Sequence, residues 1–501
     1  MSVSRHHRDL IIGGTLLLVA LGLRLWGLGS KSLWSDEGSS WKYAQEPLLS
    51  LVTNTQEYNP PLYYALLHEW IKLFGTSEAV LRFPSVLCGV AGVALLGWVG
   101  CLLTGRSLAW IAMGLLSVML FPLKYDQSAR TYSLFLAASL ASYGCLIAWE
   151  RSRRRKWAIG YALSTILMSY AHNYWIFNVM AQQLYLGWKL YKKRVSWSSW
   201  AWVTGAVAVG VMPWLLVLMK QTVHVARSGF WIPQPTWQTL VRMPLVYVDD
   251  ERRPFIAWIC AALAGFSFLR LDRAAPSATK KPRPAFALRF PLSGVDGLLL
   301  LWLLCPLVLP FILSQFGTPI FLPRYTIAAA PAFYLLIGRW LLTLPQRSVQ
   351  VALGGLIALL SLTALPHYYA QEDEDWRGAA TTIERLGQPG DAIVLYSRQS
   401  SAFRYYFRGK LPIVSHGEML SQQPPSFHGP QDLWPAKAHI SRTWLVIWNV
   451  SGQDNDRLIT KALVEQYPGA RLVYQHQFTG DLFVYGYNSP QAEQLRARIK
   501  T

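Results

Sequence analysis

The sequence predicts a polytopic α-helical membrane protein of about eleven transmembrane helices, with interfacial helices in its first outer loop and a small C-terminal α/β domain outside the membrane. Three observations predict it. The 501 residues are 52% hydrophobic and only 15% charged, whereas soluble domains carry about 25% charged residues. Apolar runs close to bilayer-crossing length, about 20 residues each, recur along the first three quarters of the chain. The basic clusters between those runs fall on one side when the runs are threaded in order, as the positive-inside rule requires.

The runs lie at 10–28, 79–103, 107–123, 131–149, 157–172, 173–190, 198–219, 254–270, 295–315, 323–343 and 348–366. The pair within 157–190 is divided only by the polar patch 169–173. Arg5 and Arg8, Arg106, residues 151–156, residues 189–194, residues 270–289, and Arg339 with Arg347 share the side read as cytoplasmic. The outer side then receives 30–78, 124–130, 220–253, 316–322 and everything from 367. In the first outer loop, residues 37–51 suit a surface helix with Trp41, Tyr43, Ala44 and Leu48 on its apolar side. Pro60-Pro61 opens a second helix over 61–74, where proline is tolerated in the first turn. Its Leu62, Ala65, Leu66, Trp70 and Leu73 form a helical stripe, so both helices are expected to lie on the membrane. Residues 271–290 read as a flexible cytoplasmic linker. The expected boundary falls at 366/367. The 135-residue tail has helical stretches near 376–387 and 454–467 and strand-like runs at 392–396, 444–450, 470–474 and 482–487, enough to bury a core of its own.

The formal charge of +20 is uneven: residues 1–366 hold 33 Lys and Arg against 14 Asp and Glu, and residues 367–501 hold 14 against 13. Basicity therefore belongs to the membrane part, and no nucleic-acid partner is implied. The five cysteines, Cys88, Cys101, Cys145, Cys260 and Cys305, sit in apolar segments with no metal spacing or disulfide framework, and read as small buried apolar residues. The first apolar run lacks a small-residue cleavage site and reads as a retained helix.

The chemistry-bearing residues cluster at the outer mouths. Leu33-Trp34-Ser35-Asp36-Glu37 places an acidic pair just past the first run. A carboxylate there can take the proton of an attacking hydroxyl; capping of the following helix is the plain alternative. Asn59-Pro60-Pro61-Leu62-Tyr63-Tyr64 fixes a helix entry with aromatics at headgroup level. Tyr125-Asp126-Gln127-Ser128-Ala129-Arg130-Thr131-Tyr132 follows in the second outer loop. Arg130 can hold a lipid phosphate bidentately, or snorkel, or pair with Asp126. Pro323-Arg324-Tyr325 brings a second outer cation, and His172-Asn173-Tyr174 forms an outer turn whose His is by itself as well read as structural. Asp249-Asp250-Glu251 reads as a solvated turn rather than a cation site.

In this order the motifs resemble those of the bacterial protein O-mannosyltransferase-like and aminoarabinose-transferase-like glycosyltransferases, membrane enzymes of the GT-C fold. The family's Trp-x-Asp-Glu is here Trp34-Ser35-Asp36-Glu37; its His-Pro-Pro-Leu-Tyr-Tyr is Asn59 to Tyr64. Its Phe-Gly-x-Ser-Glu and Leu-Arg-x-Pro-Ser phrases are Phe74 to Glu78 and Leu81 to Ser85. Its Ser-Gln-Glu-Ala-Arg-x-Tyr is Asp126 to Tyr132, and its His-Tyr and Pro-Arg-Tyr elements are His172 to Tyr174 and Pro323 to Tyr325. The tail opening at Asp375-Trp376-Arg377-Gly378, with Pro389-Gly390-Asp391 before a strand, is also similar.

The resemblance implies an inverting transferase that moves a hexosyl or pentosyl group from a polyprenyl-phosphate donor to a protein, lipid or glycan hydroxyl. It would work on the outer face of the bacterial cytoplasmic membrane. Asp36 would be the base and Glu37 its support or an acceptor contact. Arg130 and Arg324 would hold the phosphate, with Asn59, Tyr63, Asp126, Tyr132, His172 and Tyr325 completing the donor site. No cofactor is required by these motifs, and a divalent cation stays open. Two positions depart from the pattern: Asn59 stands for the usual His and Ser128 for the usual Glu. Asp126 is a candidate for the missing carboxylate. The rival readings are a flippase for lipid-linked sugars, which would place functional polar groups in mid-membrane, and a non-catalytic scaffold.

Overall fold

The computed structural model describes residues 5–53, 58–228, 232–248, 254–267, 269–270, 287–288, 294–396, 401–415, 442–448, 471–479 and 482–488. The Asp249 to Glu251 turn, most of the 271–290 linker and the expected 454–467 helix lie outside them. All eleven apolar runs are helical. Among the described residues, five helices are long and apolar enough to cross a membrane: Glu78–Leu103, Tyr132–Ser152, Trp197–Val223, Gly294–Phe316 and Arg347–Ala370. A sixth crossing results if Arg106–Val118 and Leu120–Asp126, bent by 61°, form one span. Of the remaining runs, the first gives Arg5–Leu25 at 21 residues and the others give shorter helices, such as Arg155–Ala171 and Trp175–Tyr191 at 17 residues each and Pro254–Phe266 at 13. These helices mark a multi-pass membrane protein. All five cysteines are free thiols; Cys260 and Cys305 are buried as expected, but Cys101 is exposed, because it sits on the outward side of its helix.

The chain forms two compact units. The first comprises residues 1–26, 49–66 and 82–368. Its core runs through the helices and includes Trp302, stacked on Tyr143 at 3.8 Å between ring centroids. The Trp302 indole donates to the Ala328 carbonyl at 2.7 Å, and the Tyr247 hydroxyl donates to Thr326 Oγ1 at 3.0 Å. Both bonds pin a 3-10 turn, Pro323–Ala329, that precedes the helix Ala330–Leu341. The tighter 3-10 winding is common at a helix start, and here it carries Arg324 and Tyr325.

A fully buried ion pair sets the bend in the third run. Met119 is extended (φ −64°, ψ 129°), so the helix is interrupted and the carbonyls of Leu116 and Ser117 lose their partners four residues on. Arg24 supplies the missing donors: Nη2 to Leu116 O at 3.1 Å and Nη1 to Ser117 O at 3.2 Å. Its Nε meets Asp126 Oδ2 at 2.7 Å, with both residues 0% exposed. The next residue, Gln127, donates to the Arg24 and Trp26 carbonyls at 2.9 and 2.8 Å. Gly89 lets the Asp126 carboxylate lie against its backbone, where a Cβ would clash.

The second unit comprises residues 27–48, 67–81 and 369–501, so two pieces of the first outer loop fold with the tail. Its sheet has strands β1 (Asp391–Tyr396), β2 (Ile413–Ser415), β3 (Arg442–Trp448), β4 (Arg471–Phe478) and β5 (Leu482–Asn488), in the order β2-β1-β3-β5-β4. β1 runs parallel to β2 and β3; β5 runs antiparallel to β3 and β4. The alternation of a strand sorts its residues: Ile393, Leu395, Trp444, Val446, Leu482 and Val484 face Trp376, Ala380 and Ile383 of the helix Trp376–Leu386. Val394, Leu445, Ile447, Tyr485 and Tyr487 line the other face.

The expected surface helix 37–51 is two helices, Ser35–Ala44 and Leu48–Thr53. Pro47 separates them, since it lacks an N–H and forces Glu46 away from helical geometry. The second, Leu62–Phe74, buries Tyr63, Tyr64 and Leu67 and leaves Leu66 and Leu73 of its apolar stripe exposed, as suits a helix lying in a membrane interface. Gly38 faces the helix Ser401–Tyr406 so closely that a Cβ would strike the Ala402 backbone. Gly38→Ala is therefore expected to destabilise the second unit by about 1–3 kcal/mol, as overpacking does, and to lower the melting temperature in detergent. An unchanged melting temperature would refute this contact.

Candidate active site

In the first unit, three separate segments converge on the Arg130 loop. Tyr63 and Tyr64 come from the first turn of Leu62–Phe74. The Tyr63 hydroxyl lies 2.9 Å from Ser85 Oγ, which donates to the Arg130 carbonyl at 3.2 Å. The guanidinium itself donates to the Tyr64 hydroxyl at 3.4 Å. Thr131 Oγ1 donates to the Ala171 carbonyl, tying the Arg130 loop to the turn that holds His172. Arg130 is 6% exposed and makes no ion pair with Asp126, whose partner is Arg24. Asp126 thus has a structural engagement in the bent helix.

His172 is ringed by aromatics. Centroid distances are 4.9 Å to Tyr325, 5.0 Å to Phe135, 5.7 Å to Tyr132 and 5.8 Å to Tyr174. The Tyr174 backbone N–H donates to His172 Nδ1 at 3.2 Å, so the neutral ring carries its proton on Nε2. The charges of Arg130 and Arg324 both act on this imidazole, and Arg324 lies over the Tyr325 ring at 5.8 Å. Asn173 follows His172 in the same turn. Its amide donates to the Tyr58 carbonyl at 2.7 Å and accepts from the Trp214 indole at 3.0 Å, which fixes the backbone just before Asn59. Arg130, Tyr132, His172, Arg324 and Tyr325 are therefore assembled in one cluster, with Tyr63 behind it and Asn59 beside its anchor.

In the second unit, Asp36 and Glu37 occupy the first turn of Ser35–Ala44, where a helix dipole favours negative charge. Their surroundings differ. Glu37 is 0% exposed and its Oε2 accepts from the Trp34 N–H at 3.3 Å, so it caps its own helix. Asp36 is partly exposed. The strand-like approach to this pair is held by residues from the tail. Glu372 accepts from the Ser32 N–H at 2.7 Å and Tyr406 from the Leu33 N–H at 2.7 Å. Glu374 Oε2 accepts from the Ser35 N–H at 2.7 Å and the Trp376 indole at 2.6 Å, while Ser35 Oγ donates to Oε1 at 3.2 Å. Arg377 donates to the Ser30 and Lys31 carbonyls at 3.0 and 3.2 Å and pairs with Glu78 at 2.8 Å.

Burial pushes the Glu374 carboxyl up to about 7, and the neighbouring Asp36 charge adds to this against the donors from Trp376 and Ser35. The folded state therefore binds this proton more tightly than the unfolded chain. Its stabilisation is full below the ordinary carboxyl value of 4.5 and is lost as pH rises through about 7. Thermal unfolding from pH 4.5 to 8 is expected to show a decline, on the order of 3 kcal/mol, that Glu374→Gln flattens. Parallel pH profiles for the two proteins would refute the shift.

Sequence reasoning missed Arg24 and Glu374, and placed Ser35 and Arg377 within motifs without their contacts to each other's segments. A charged residue inside an apolar run is a signal in itself, and Arg24 carried it. Glu374 carried none, standing in an acidic run that resembles a linker.

A family model described as dolichyl-phosphate-mannose-protein mannosyltransferase matches residues 58–216, the stretch holding Asn59, Arg130 and His172. No curated protein matches the chain in sequence. Among solved structures, ArnT from Cupriavidus metallidurans in the apo state superposes with a TM-score of 0.60 at 12% identity, over 96% of this chain and 98% of that one. The same protein bound to undecaprenyl phosphate gives 0.58 at 13% identity, over 94% and 97%. The Archaeoglobus fulgidus oligosaccharyltransferase in complex with Zn and sulfate gives 0.57 at 12% identity, over 95% and 72%. At these identities the structural likeness is one of fold. The resemblance read from the ordered motifs is borne out by the family model over residues 58–216 and by the fold.

Proposed function

We propose that the chain is an inverting glycosyltransferase that moves a sugar from a polyprenyl-phosphate donor to an acceptor hydroxyl on the outer face of a bacterial cytoplasmic membrane. The observation that carries this reading is the cluster of Arg130 and Arg324 with His172, Tyr132 and Tyr325. Two guanidinium groups set among aromatic rings suit a lipid phosphate: forked donors for the oxygens and flat apolar surface for a sugar or prenyl chain. The likeness to a protein solved with undecaprenyl phosphate supports the same donor class.

In the proposed reaction Asp36 takes the acceptor proton while the acceptor oxygen attacks the anomeric carbon. The anomeric C–O bond to phosphate breaks, and polyprenyl phosphate leaves with the bonding electrons, its charge held by Arg130 and Arg324. Glu37 caps the Asp36 helix. Asp126 serves the fold rather than replacing the missing family carboxylate. The eleven-span threading puts Asp36, both arginines and the tail on the outer side. No step calls for a cofactor. The acceptor is a protein, lipid or glycan hydroxyl, and the sugar is a hexose or pentose.

The test uses purified protein and a panel of radiolabelled sugars on undecaprenyl phosphate, with membrane extract as acceptor. Labelled product is expected from at least one donor. Arg130→Ala and Arg324→Ala are each expected to lower kcat/KM for it roughly 100-fold, the size of losing one preorganised donor to developing charge. Unchanged kcat/KM in both variants would overturn the phosphate role.

A further inference from the structure

Asp36 stands in the first turn of Ser35–Ala44, and the segment leading into that turn is held from the tail. Five backbone groups of residues 30–35 bond to tail side chains more than 330 positions away: Ser30 O and Lys31 O to Arg377, Ser32 N to Glu372, Leu33 N to Tyr406 and Ser35 N to Glu374. Glu374 is distinct among these. It is 8% exposed, it binds the residue immediately before Asp36 through both backbone N–H and hydroxyl, and its Oε2 is shared with the Trp376 indole at 2.6 Å. Trp376 is itself 0% exposed and anchored in the sheet-facing core. The chain of contacts therefore runs from the tail core through Trp376 and Glu374 to Ser35, and from there to the base.

We infer that Glu374 is a positioning residue for Asp36: it fixes the Ser35 backbone and so the direction in which the Asp36 carboxylate leaves its helix. The inference rests on the transferase reading for its functional part. It gives the tail a role in the reaction, because the base is set by a buried carboxylate of the tail rather than by its own loop. Other charged groups packed about this loop are Asp36, Glu37, Glu372, Asp375, Arg377 and Glu78. Among them Arg377 is engaged by Glu78 and the Ser30 and Lys31 carbonyls, and Asp375 by the Gly378 N–H at 2.7 Å. Glu374 keeps its Ser35 contact in either protonation state, provided the Oε1–Ser35 Oγ bond reverses direction when the acid form donates.

Two readouts test this on the full-length protein in detergent micelles: amide hydrogen exchange over residues 33–39, and kcat and KM for the donor that the panel identifies. Glu374→Ala is expected to speed exchange at Ser35 and to lower kcat about tenfold or more, as misplacing a reacting group does, with donor KM little changed. Glu374→Gln, which keeps an oxygen acceptor for the Ser35 N–H, is expected to retain protection and most of kcat and to lose any kcat titration near neutral pH. Ser35→Ala, which removes the hydroxyl alone, is expected to fall between. Unchanged exchange in Glu374→Ala overturns the inference whatever the activity. Faster exchange with wild-type kcat overturns the link to Asp36. A wild-type protein inert with every donor, its exchange still altered by Glu374→Ala, overturns the transferase reading while the backbone cradle stands.

Discussion

Arg24→Ala is expected to remove most folded protein. Arg24 is enclosed among helices with no exposed surface, and its guanidinium satisfies Asp126 and the two carbonyls freed by the break at Met119. Alanine leaves a buried carboxylate and two buried carbonyls without those donors. Removing one member of a buried pair costs about 3–5 kcal/mol, a large share of ordinary stability. The expected result is a collapse of the monodisperse yield, or a melting temperature lower by many degrees, measured in detergent. The double replacement Arg24→Met with Asp126→Leu is expected to recover part of the loss in Asp126 pairing but not the bend, because methionine cannot serve Leu116 O and Ser117 O. Arg130 follows the end of the bent helix at Asp126 by four residues, so surviving double variant is expected to show weakened donor use. An Arg24→Ala protein as stable as wild type would show that the pair does not organise the third run.

Asp36→Asn is expected to fold normally and lose turnover. Asp36 is partly exposed and asparagine has its shape, so stability should change little. A missing general base lowers turnover by about 10²–10⁴. Donor binding is expected to survive, because the arginine cluster is untouched. Glu37→Gln should behave in the opposite way: its buried carboxylate caps the Trp34 N–H, so the stability loss is expected to exceed the kinetic one. Melting curves with single-turnover rates for both variants separate the roles. A Glu37 variant slower than the Asp36 variant would exchange them.

Much of this was legible in the sequence because it is local. The apolar runs are one-dimensional signals, and each became a helix. The strand positions in the tail were readable from short apolar strand-like runs, and the observed β1, β3 and β5 fall within two residues of them at either end. The motif residues Arg130, His172 and Arg324 were identified from order and spacing, although their gathering around one imidazole is a property of packing. What was not legible depends on contacts across long stretches of chain. That residues 27–48 fold with the tail follows from hydrogen bonds such as Ser35 to Glu374, which no periodicity encodes. The engagement of Asp126 by Arg24 spans 102 positions, and sequence alone offered Arg130 as its partner. The break of the first surface helix was readable, since Pro47 stands in the middle of the run, and the apolar pattern around it concealed the stop.

The bond that the proposed reaction breaks joins the sugar to polyprenyl phosphate. The most direct measurement follows a donor labelled with tritium in the sugar and phosphorus-32 in the phosphate, in proteoliposomes with acceptor extract. The labels are expected to part: tritium enters the acceptor, phosphorus-32 stays with the lipid, and Asp36→Asn holds them together. Labels that cross the bilayer still joined in wild type would contradict it and identify a flippase.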